Sequence, residues 1–270
     1  MKPILRAERM KPVHSDIRGP LFVEAMKRQK QGIDVLKLNT GNPATFGFGL
    51  PDSIKNALME HMQDGVGYCD FKGMPQARQA ICDYETSKGI TGITPDDVFI
   101  GNGVSEVVSF ALTPLLNDGD EVLVPSPSYS LWAIPYISKT VNRSFTPVTR
   151  RPTGIQTFRI SVPKSQRRQK QSSSSIRTTR PVYSIQRNSF LRIIQIARES
   201  GLLIFADEIY DRLVMDGKQL YLSCSLTEDV PVITLNGLSK SHCLCGYRCG
   251  WMVISGPREL TEDYRQGIIQ

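Results

Sequence analysis

The sequence lacks any hydrophobic run long enough to cross a membrane. Nothing in its 270 residues approaches the roughly 18–20 consecutive apolar residues that a spanning helix needs. Residues 1–20 also lack the apolar core of a secretory signal peptide. Together these two absences predict a cytoplasmic protein that has no membrane partner.

Cysteines are few and irregularly spaced. Nothing indicates secretion, so the six cysteines are expected to be reduced thiols. Cys243, Cys245 and Cys249 lie near His242, a grouping that raises the question of zinc. Because their C-x-C-x3-C spacing matches no usual zinc pattern, the sequence predicts no metal site.

Acidic residues are missing from one block of the chain. Between Arg143 and Arg192 there are 12 Lys and Arg but no Asp or Glu, which leaves 21 basic against 26 acidic residues elsewhere. The net charge of +7 therefore arises from this block, because acidic residues outnumber basic ones in the rest of the chain. A nucleic-acid-binding surface would interleave aromatic side chains for base stacking, and the block contains only Phe145, Phe158, Tyr183 and Phe190. No nucleic-acid partner is expected, and binding to the basic block is kept as a weaker alternative.

Helical and extended patterns alternate through the rest of the chain. Helices are predicted at 18–32, 51–62, 75–88, from 105 onward, at 128–137 and at 191–199. Strands are predicted at 35–39, 97–100, 121–124, 202–206, 232–235 and 251–254. Continuous apolar strands are typical of a parallel sheet buried on both faces, and the alternation indicates the α/β class. Residues 141–190 show neither period and are predicted to be a disordered basic segment.

Two groups of residues that could bind a ligand follow predicted strands, and this is the position at which ligands bind in open α/β sheets. The glycine-rich stretch at 101–106 opens a helix whose free N–H groups could bind a phosphate; alternatively it is a plain turn with Ser105 as the helix cap. Asp207 follows a buried strand, where an acid is costly without a partner. A protonated pyridine nitrogen would be such a partner, with Tyr210 reaching another edge of the same ring. The alternative is a helix-capping aspartate.

Two further groups lie near the C-terminus. Lys240 follows the strand that ends near Leu235, and a lysine at a buried sheet end can act as a nucleophile; alternatively it is a solvated loop lysine. Arg248 lies eight residues later, and its guanidinium could hold a phosphate in a fork. Gly246 and Gly250 permit close backbone approach there. Alone, this arginine would be read as a surface residue.

In order and spacing, Asp207, Tyr210, Ser239, Lys240 and Arg248 closely resemble the fold-type-I pyridoxal-phosphate (PLP) enzymes of the class I/II aminotransferases. Stretches at 38–43, 67–70, 101–106 and 125–132 resemble the alanine-transaminase-like branch. The resemblance covers about residues 12–140 and 191–260. It implies a three-layer α/β/α fold with a mostly parallel sheet. Residues 1–45 would form an N-terminal arm and part of a small domain, and residues 46–270 the PLP-binding large domain.

The resemblance implies a role for each matching residue. Lys240 would form a Schiff base with PLP and shuttle a proton between the substrate Cα and cofactor C4′. Asp207 would keep the pyridine nitrogen protonated, so that the ring acts as an electron sink, and Tyr210 would hydrogen-bond the phenolic oxygen. The expected reaction is transamination from an amino acid, alanine in the first instance, to a 2-oxo acid, 2-oxoglutarate in the first instance.

The same resemblance assigns residues to binding. The cofactor phosphate would be held by Val104, Ser105, Ser239 and Arg248. Tyr129 would stack on the ring, and Gly41 would lie near the substrate carboxylate. In the family, the residue at the position of Tyr68 reaches the phosphate of the partner subunit, which implies a homodimer.

The sequence departs from the family in two places. Where the family carries Asn-Pro-Asn-Asn-Pro-Thr-Gly, residues 172–181 read Ser-Ser-Ser-Ser-Ile-Arg-Thr-Thr-Arg-Pro, which a one-base shift in the codons of the family motif would produce. We therefore interpret 141–190 as frame-shifted, a genuine basic insert being the alternative, and expect strands to be lost from the centre of the sheet. Family members also continue past the position of Gln270 into a small domain with a carboxylate-binding arginine, so truncation is expected. The alternative to an active enzyme is an inactive, poorly folded product of a damaged gene.

Overall fold

A mixed sheet with helices on both faces forms the molecule. The computed structural model describes residues 3–5, 19–37, 41–117, 120–126, 129–133, 142–150, 156–158, 175–178, 187–215 and 224–270. The helices are α1 (Pro20–Lys30), α2 (Asp52–Glu60), α3 (Pro75–Ser87), α4 (Val104–Leu112), α5 (Arg187–Ser200), α6 (Leu238–Ser241) and α7 (Glu262–Ile269). The strands are β1 (Val98–Asn102), β2 (Glu121–Ser126), β3 (Asn142–Arg150), β4 (Gln156–Phe158), β5 (Ser175–Thr178), β6 (Leu203–Asp207), β7 (Val232–Gly237) and β8 (Cys249–Ser255). Short 3-10 turns lie at Pro43–Phe46, Met62–Gly65, Pro95–Asp97, Ser130–Ala133, Cys224–Leu226 and Arg258–Leu260.

The strands pair in the order β1-β8-β7-β6-β5-β2-β3-β4. The five consecutive strands from β7 to β3 run parallel, whereas β8 is antiparallel to both of its neighbours and β4 is antiparallel to β3. The α/β class and the mostly parallel sheet are therefore confirmed. Because β8 is antiparallel to both β1 and β7, its first residue lies at the edge where those two strands end.

Alternation along the strands divides the core into two layers. Phe205 of β6 and Met252 of β8 belong to a cluster with α4, whereas Ile204 of β6 packs with α5 and Trp251 of β8 packs with α3. Successive side chains of a strand point to opposite faces, so β6 and β8 each contribute to the core on both faces of the sheet. Helices thus cover both faces of the sheet, which confirms the three-layer arrangement.

The centre of the sheet is continuous through the basic block. Ser175 and Ile176 of β5 pair with β2 on one side and with β6 on the other, and β3 and β4 extend the sheet beyond β2. The prediction that the central strands would be lost is therefore wrong. Backbone N–H and C=O groups pair whatever the side chains are, so two flanking strands can organise a segment that has no side-chain period. The remaining residues of 141–186 lie outside the described part of the chain.

Several predicted boundaries differ from the structure. Residues 35–37 form no strand, and 38–39 lie outside the described residues. Of the helix predicted at 128–137, residues 129–133 are described, and they contain a single 3-10 turn, Ser130–Ala133. β2 continues through Pro125 to Ser126 instead of ending before the proline. Helix α4 begins at Val104 with Gly103 as its cap, so Ser105 lies inside the first turn and is not the cap.

The amino-terminal helices are not packed into the core. Neither α1 nor α2 has a buried residue, although each carries apolar side chains. Within the described part of the chain, no helix is both long and apolar enough to cross a membrane. The cysteines whose side chains are described, at 69, 82, 243, 245 and 249, are free thiols.

Candidate active site

Most of the predicted site residues lie at one edge of the sheet. Asp207, the last residue of β6, pairs with Leu235 of β7. Gly237 at the end of β7 faces Gly250, and Asn102 at the end of β1 faces Cys249. The ends of three strands and the start of β8 thus meet, so the segments carrying Asp207, Lys240, Arg248 and the start of α4 are neighbours. Ligands of α/β proteins bind at such an edge.

Arg248 is held against the start of α4. Its Nη2 donates to the carbonyl of Asn102 at 3.1 Å and its Nη1 to the carbonyl of Cys245 at 2.9 Å. Its backbone φ is +56°, in the left-handed region that residues other than glycine rarely adopt. Such strain is typical of functional positions that the surrounding structure holds in place.

Two glycines create the space for this arrangement. A Cβ on Gly103 would overlap the guanidinium of Arg248, and a Cβ on Gly250 would overlap the backbone nitrogen of Val104. Gly103 also has φ +80° and ψ 162°, a conformation essentially reserved for glycine. The result is a cradle in which a guanidinium lies beside the amino-terminal end of a helix.

The donors around the cradle suit an anion. The first turn of a helix has N–H groups without intrahelical acceptors, which here belong to Val104 and Ser105. Ser105 on α4 and Ser239 on α6 are both half-buried, and Arg248 adds its positive charge. Helix N-termini and arginine forks are the usual protein ligands of phosphate.

Asp207 ends one strand, and Lys240 follows the end of the adjacent strand. Asp207 is only 8% exposed, and the backbone N–H after it, that of Glu208, donates to the carbonyl of Leu235 at 2.8 Å. Lys240 lies half-buried on α6, directly beyond the end of β7. Tyr210 is half-buried in the turn that follows β6. Because a turn follows Asp207 rather than a helix, the capping alternative for this aspartate is wrong.

Tyr129 lies over the same part of the sheet. Its backbone carbonyl accepts from the N–H of Trp132 at 3.1 Å, and Tyr129 packs against the core cluster on the α4 face. The Trp132 ring meets Phe205 of β6 edge-on, with centroids 6.0 Å apart. Phe205 is two residues before Asp207, so the Tyr129 segment borders the strand that carries this aspartate.

Tyr68 and Gly41 are not drawn into this cluster. The side chain of Tyr68 is fully exposed, and Gly41 is exposed with no heavy atom within 4 Å of its Cβ position. Within the described residues of this single chain, neither contacts the strand-end groups. A role for either residue at this site would require contacts that the described residues of a single chain do not provide.

A polar cluster behind Asp207 was not predicted from the sequence. Lys88 at the end of α3 contacts Glu208 and Asp211, both on the turn after β6. Burial, with a smaller contribution from the negative charges of Glu85 and Asp211, raises the pKa of Glu208 to about 7 against the attraction of Lys88. The three acids Asp207, Glu208 and Asp211 crowd a five-residue stretch, which is the signal that could have indicated this cluster.

Comparison with known proteins identifies the family of this chain. The family model for aminotransferase class I and II matches residues 33–149 and 184–266, so the chain belongs to that family. The gap between the two matched ranges, 150–183, falls within the basic block. Proteins of this family and fold depend on pyridoxal phosphate, and the anion cradle with the buried carboxylate of Asp207 suits the phosphate and the ring nitrogen of that cofactor.

Individual proteins similar to this chain are also named as aminotransferases. The chain is 38% identical over 281 residues to the glutamate-pyruvate aminotransferase AlaA of Haemophilus influenzae, covering 99% of this chain and 66% of that protein. It is 34% identical to the alanine aminotransferase of Mycobacterium tuberculosis, covering 97% of this chain and 62% of that protein. It therefore spans about two thirds of the length of these relatives.

Solved structures show the same fold. An aminotransferase from Escherichia coli superposes with a TM-score of 0.87 at 35% identity, over 99% of this chain and 66% of that one. The alanine aminotransferase from Pyrococcus furiosus superposes with a TM-score of 0.82 at 30% identity, over 98% of this chain and 67% of that one.

Proposed function

We propose that this chain is a PLP-dependent aminotransferase that moves the amino group of alanine to 2-oxoglutarate. One observation carries the proposal: an anion cradle, a buried carboxylate and a lysine are brought by neighbouring strands to one edge of the sheet. The cradle consists of Gly103 and Arg248 beside α4. Asp207 ends β6, and Lys240 follows the adjacent strand β7.

Each residue has a role in this proposal. When bound, PLP supplies a protonated ring that accepts an electron pair from the substrate. Its phosphate would be bound by Val104, Ser105, Ser239 and Arg248. Asp207 would hold a proton on the ring nitrogen, and Tyr210 would donate to the phenolic oxygen. Tyr129 would cover one face of the ring, which limits the access of water.

Lys240 would hold the cofactor covalently and then act as the base. Its free amine would accept the proton of the substrate Cα and return it on the cofactor side. Gly41 would lie near the substrate carboxylate. A glycine there leaves room for a bound carboxylate, in keeping with the open space around its Cβ position.

A homodimer is part of the proposal. Large apolar side chains are exposed along the amino-terminal third of the chain; they include Phe48, Met59, Met62, Val66, Tyr68 and Phe71. Large exposed apolar side chains that lie this close in sequence are typical of a surface that a partner covers. A second copy would cover these side chains, and its Tyr68 would reach the phosphate of the first subunit. We keep a cytoplasmic location as a prediction.

The choice of substrates is supported by the relatives. Proteins at 34–38% identity are named glutamate-pyruvate aminotransferase or alanine aminotransferase, whereas a protein named aspartate aminotransferase is 28% identical. Alanine with 2-oxoglutarate is therefore the pair to test first.

Chemical trapping of the cofactor tests the proposal. The full chain is incubated with PLP, reduced with borohydride, digested and mapped by mass spectrometry, and alanine–2-oxoglutarate turnover is measured in parallel. We expect a phosphopyridoxyl group on the Lys240 peptide. Lys240→Arg should abolish both trapping and turnover, because arginine cannot form the imine.

Lys72→Arg is the matched control. Lys72 is half-buried and donates from Nζ to the carbonyl of Asp96 at 3.0 Å, away from the strand-end cluster, so both signals should persist. Labelling of other lysines without preference for Lys240 would overturn the assignment of the site. Trapping at Lys240 without turnover would instead favour the alternative, an inactive product with an intact cofactor site.

A further inference from the structure

A buried polar cluster joins the two strand ends that carry the proposed cofactor contacts. Its members, referred to below as the Asp211 cluster, are Tyr84, Glu85, Lys88, Glu208, Asp211 and Asn236. Lys88 is 11% exposed, Glu208 8%, Asp211 2% and Glu85 0% at the side chain. None of these residues has a role in the proposed reaction, yet burying so many polar groups is costly unless each is paired.

One oxygen atom organises the cluster. Asp211 Oδ2 accepts hydrogen bonds from the hydroxyl of Tyr84 at 2.6 Å, Nζ of Lys88 at 2.9 Å and Nδ2 of Asn236 at 2.7 Å. Tyr84 lies in the last turn of α3 and Lys88 caps that helix, whereas Asn236 belongs to β7. The carboxylate of Asp211 therefore connects three separate parts of the chain.

These contacts lead directly to the proposed site. Asp211 follows Tyr210 and lies four residues after Asp207, so its position fixes the turn beyond β6. On the other side, Oδ1 of Asn236 accepts from the backbone N–H of Gly237 at 2.7 Å. Gly237 caps α6, the short helix that carries Lys240. A single carboxylate thus ties the segment with Asp207 and Tyr210 to the segment with Lys240.

The charges of the cluster strengthen this connection between the two segments. Glu85, Glu208 and Asp211 surround the ammonium of Lys88, whose pKa is raised by these three acids despite its burial. Glu85 is itself fixed by the indole N–H of Trp251 at 3.0 Å, and Arg212 donates to the hydroxyl of Tyr84 at 3.1 Å. Hydrogen bonds that involve a charged group are stronger than neutral ones and fix geometry more tightly.

We propose that Asp211 is a positioning residue for the cofactor site, and that it holds the turn after β6 and the start of α6 in register through Tyr84, Lys88 and Asn236. This inference rests on the proposed function for its chemical meaning. The mechanical coupling of the two segments does not depend on the cofactor, so it can be measured separately on the cofactor-free chain.

Amide hydrogen exchange on the cofactor-free full chain tests the coupling. The variants are Asp211→Asn, which keeps the shape and removes the charge, and Tyr84→Phe, which removes one hydroxyl. Both should speed exchange at residues 208–213 and at 236–242 by about tenfold, because a hydrogen bond to a charged group contributes on that order.

Tyr264→Phe provides a matched control. The hydroxyl of Tyr264 is also buried and donates to the carbonyl of Ala111 at 2.7 Å, at the far end of α4 from the cradle. This variant should lower the melting temperature comparably but leave exchange in the two segments unchanged relative to the rest of the chain. If Asp211→Asn and Tyr84→Phe speed exchange in only one segment, or only as much as Tyr264→Phe, the coupling does not exist.

Cofactor binding supplies the second readout. Asp211→Asn should raise the PLP dissociation constant about tenfold and shift the pH titration of the visible absorbance of the lysine-bound cofactor, because the segments that carry Tyr210 and Lys240 lose their common anchor. Tyr264→Phe should change neither quantity. Unchanged binding and titration in Asp211→Asn would overturn the positioning role. If the unmodified chain binds no PLP, the proposed function fails, and the exchange experiment still decides the coupling.

Discussion

Single residues in this site are constrained mainly by backbone geometry. Arg248 takes a left-handed φ, and Gly103 a conformation available essentially to glycine alone. Gly250 has a different constraint, since its Cβ position coincides with backbone atoms of Gly103 and Val104. The glycines therefore allow β8 and the start of α4 to touch, and this contact places Arg248 at the helix end.

Gly250→Ala should be strongly destabilising. The new methyl group would meet backbone rather than a flexible side chain, so α4 and β8 would have to separate, at a cost of about 3 kcal/mol in the free energy of unfolding. Gly246→Ala is the control, because nothing lies within 4 Å of its Cβ position; it should change stability by less than about 0.5 kcal/mol. Urea unfolding measures both, and equal effects would contradict the proposed contact.

The elements of this fold were predictable to different degrees. The helical period of α3 and the continuous apolar runs of β6, β7 and β8 predict these elements within a few residues. β5 was not predicted, because Ser175–Thr178 has no pattern of its own. This strand exists because β2 and β6 offer unpaired backbone groups on either side of it. Elements that depend on their neighbours in this way are hidden from sequence periodicity.

Proline in β5 should disrupt the sheet. Ile176 pairs with both Leu123 and Ile204, so Ile176→Pro removes a hydrogen-bond donor from an interior strand, at a cost of about 3 kcal/mol or more. Thr157→Pro in β4, the last strand in the pairing order, should cost clearly less because edge strands tolerate proline. Circular dichroism and urea titration would compare the two. If both substitutions are equally mild, residues 175–178 do not lie inside the sheet.

At the scale of the whole molecule, the buried acids make stability depend on pH. The pKa of Glu208 is raised to about 7 by burial and by neighbouring carboxylates, so the folded chain holds a proton that the unfolded chain releases near pH 4.5. The free energy of unfolding should therefore fall as the pH rises from about 4.5 to about 7, and this contribution should level off above that.

Glu208→Gln should remove this pH dependence. Between pH 5 and pH 8 the unmodified chain should lose up to about 3 kcal/mol more stability than the variant, since each unit of pKa shift corresponds to about 1.4 kcal/mol. Glu262→Gln serves as the control, because Glu262 is exposed and hydrogen bonding from Gln266 lowers its pKa, which places its titration below this range. Urea unfolding at both pH values measures the difference. A wild-type slope in Glu208→Gln would show that Glu208 is not the responsible group.

The sequence by itself determined the α/β class, the family and the strand-end residues of the proposed site, because these depend on local periodicity and on short ordered motifs. Tertiary structure alone decided that β5 fills the centre of the sheet and that Asp211 joins the two strand ends. Both features arise from contacts between segments far apart in the chain, up to 127 residues for Tyr84 and Asp211. Pairing across such distances depends on how the strands are ordered, and no local pattern encodes that order.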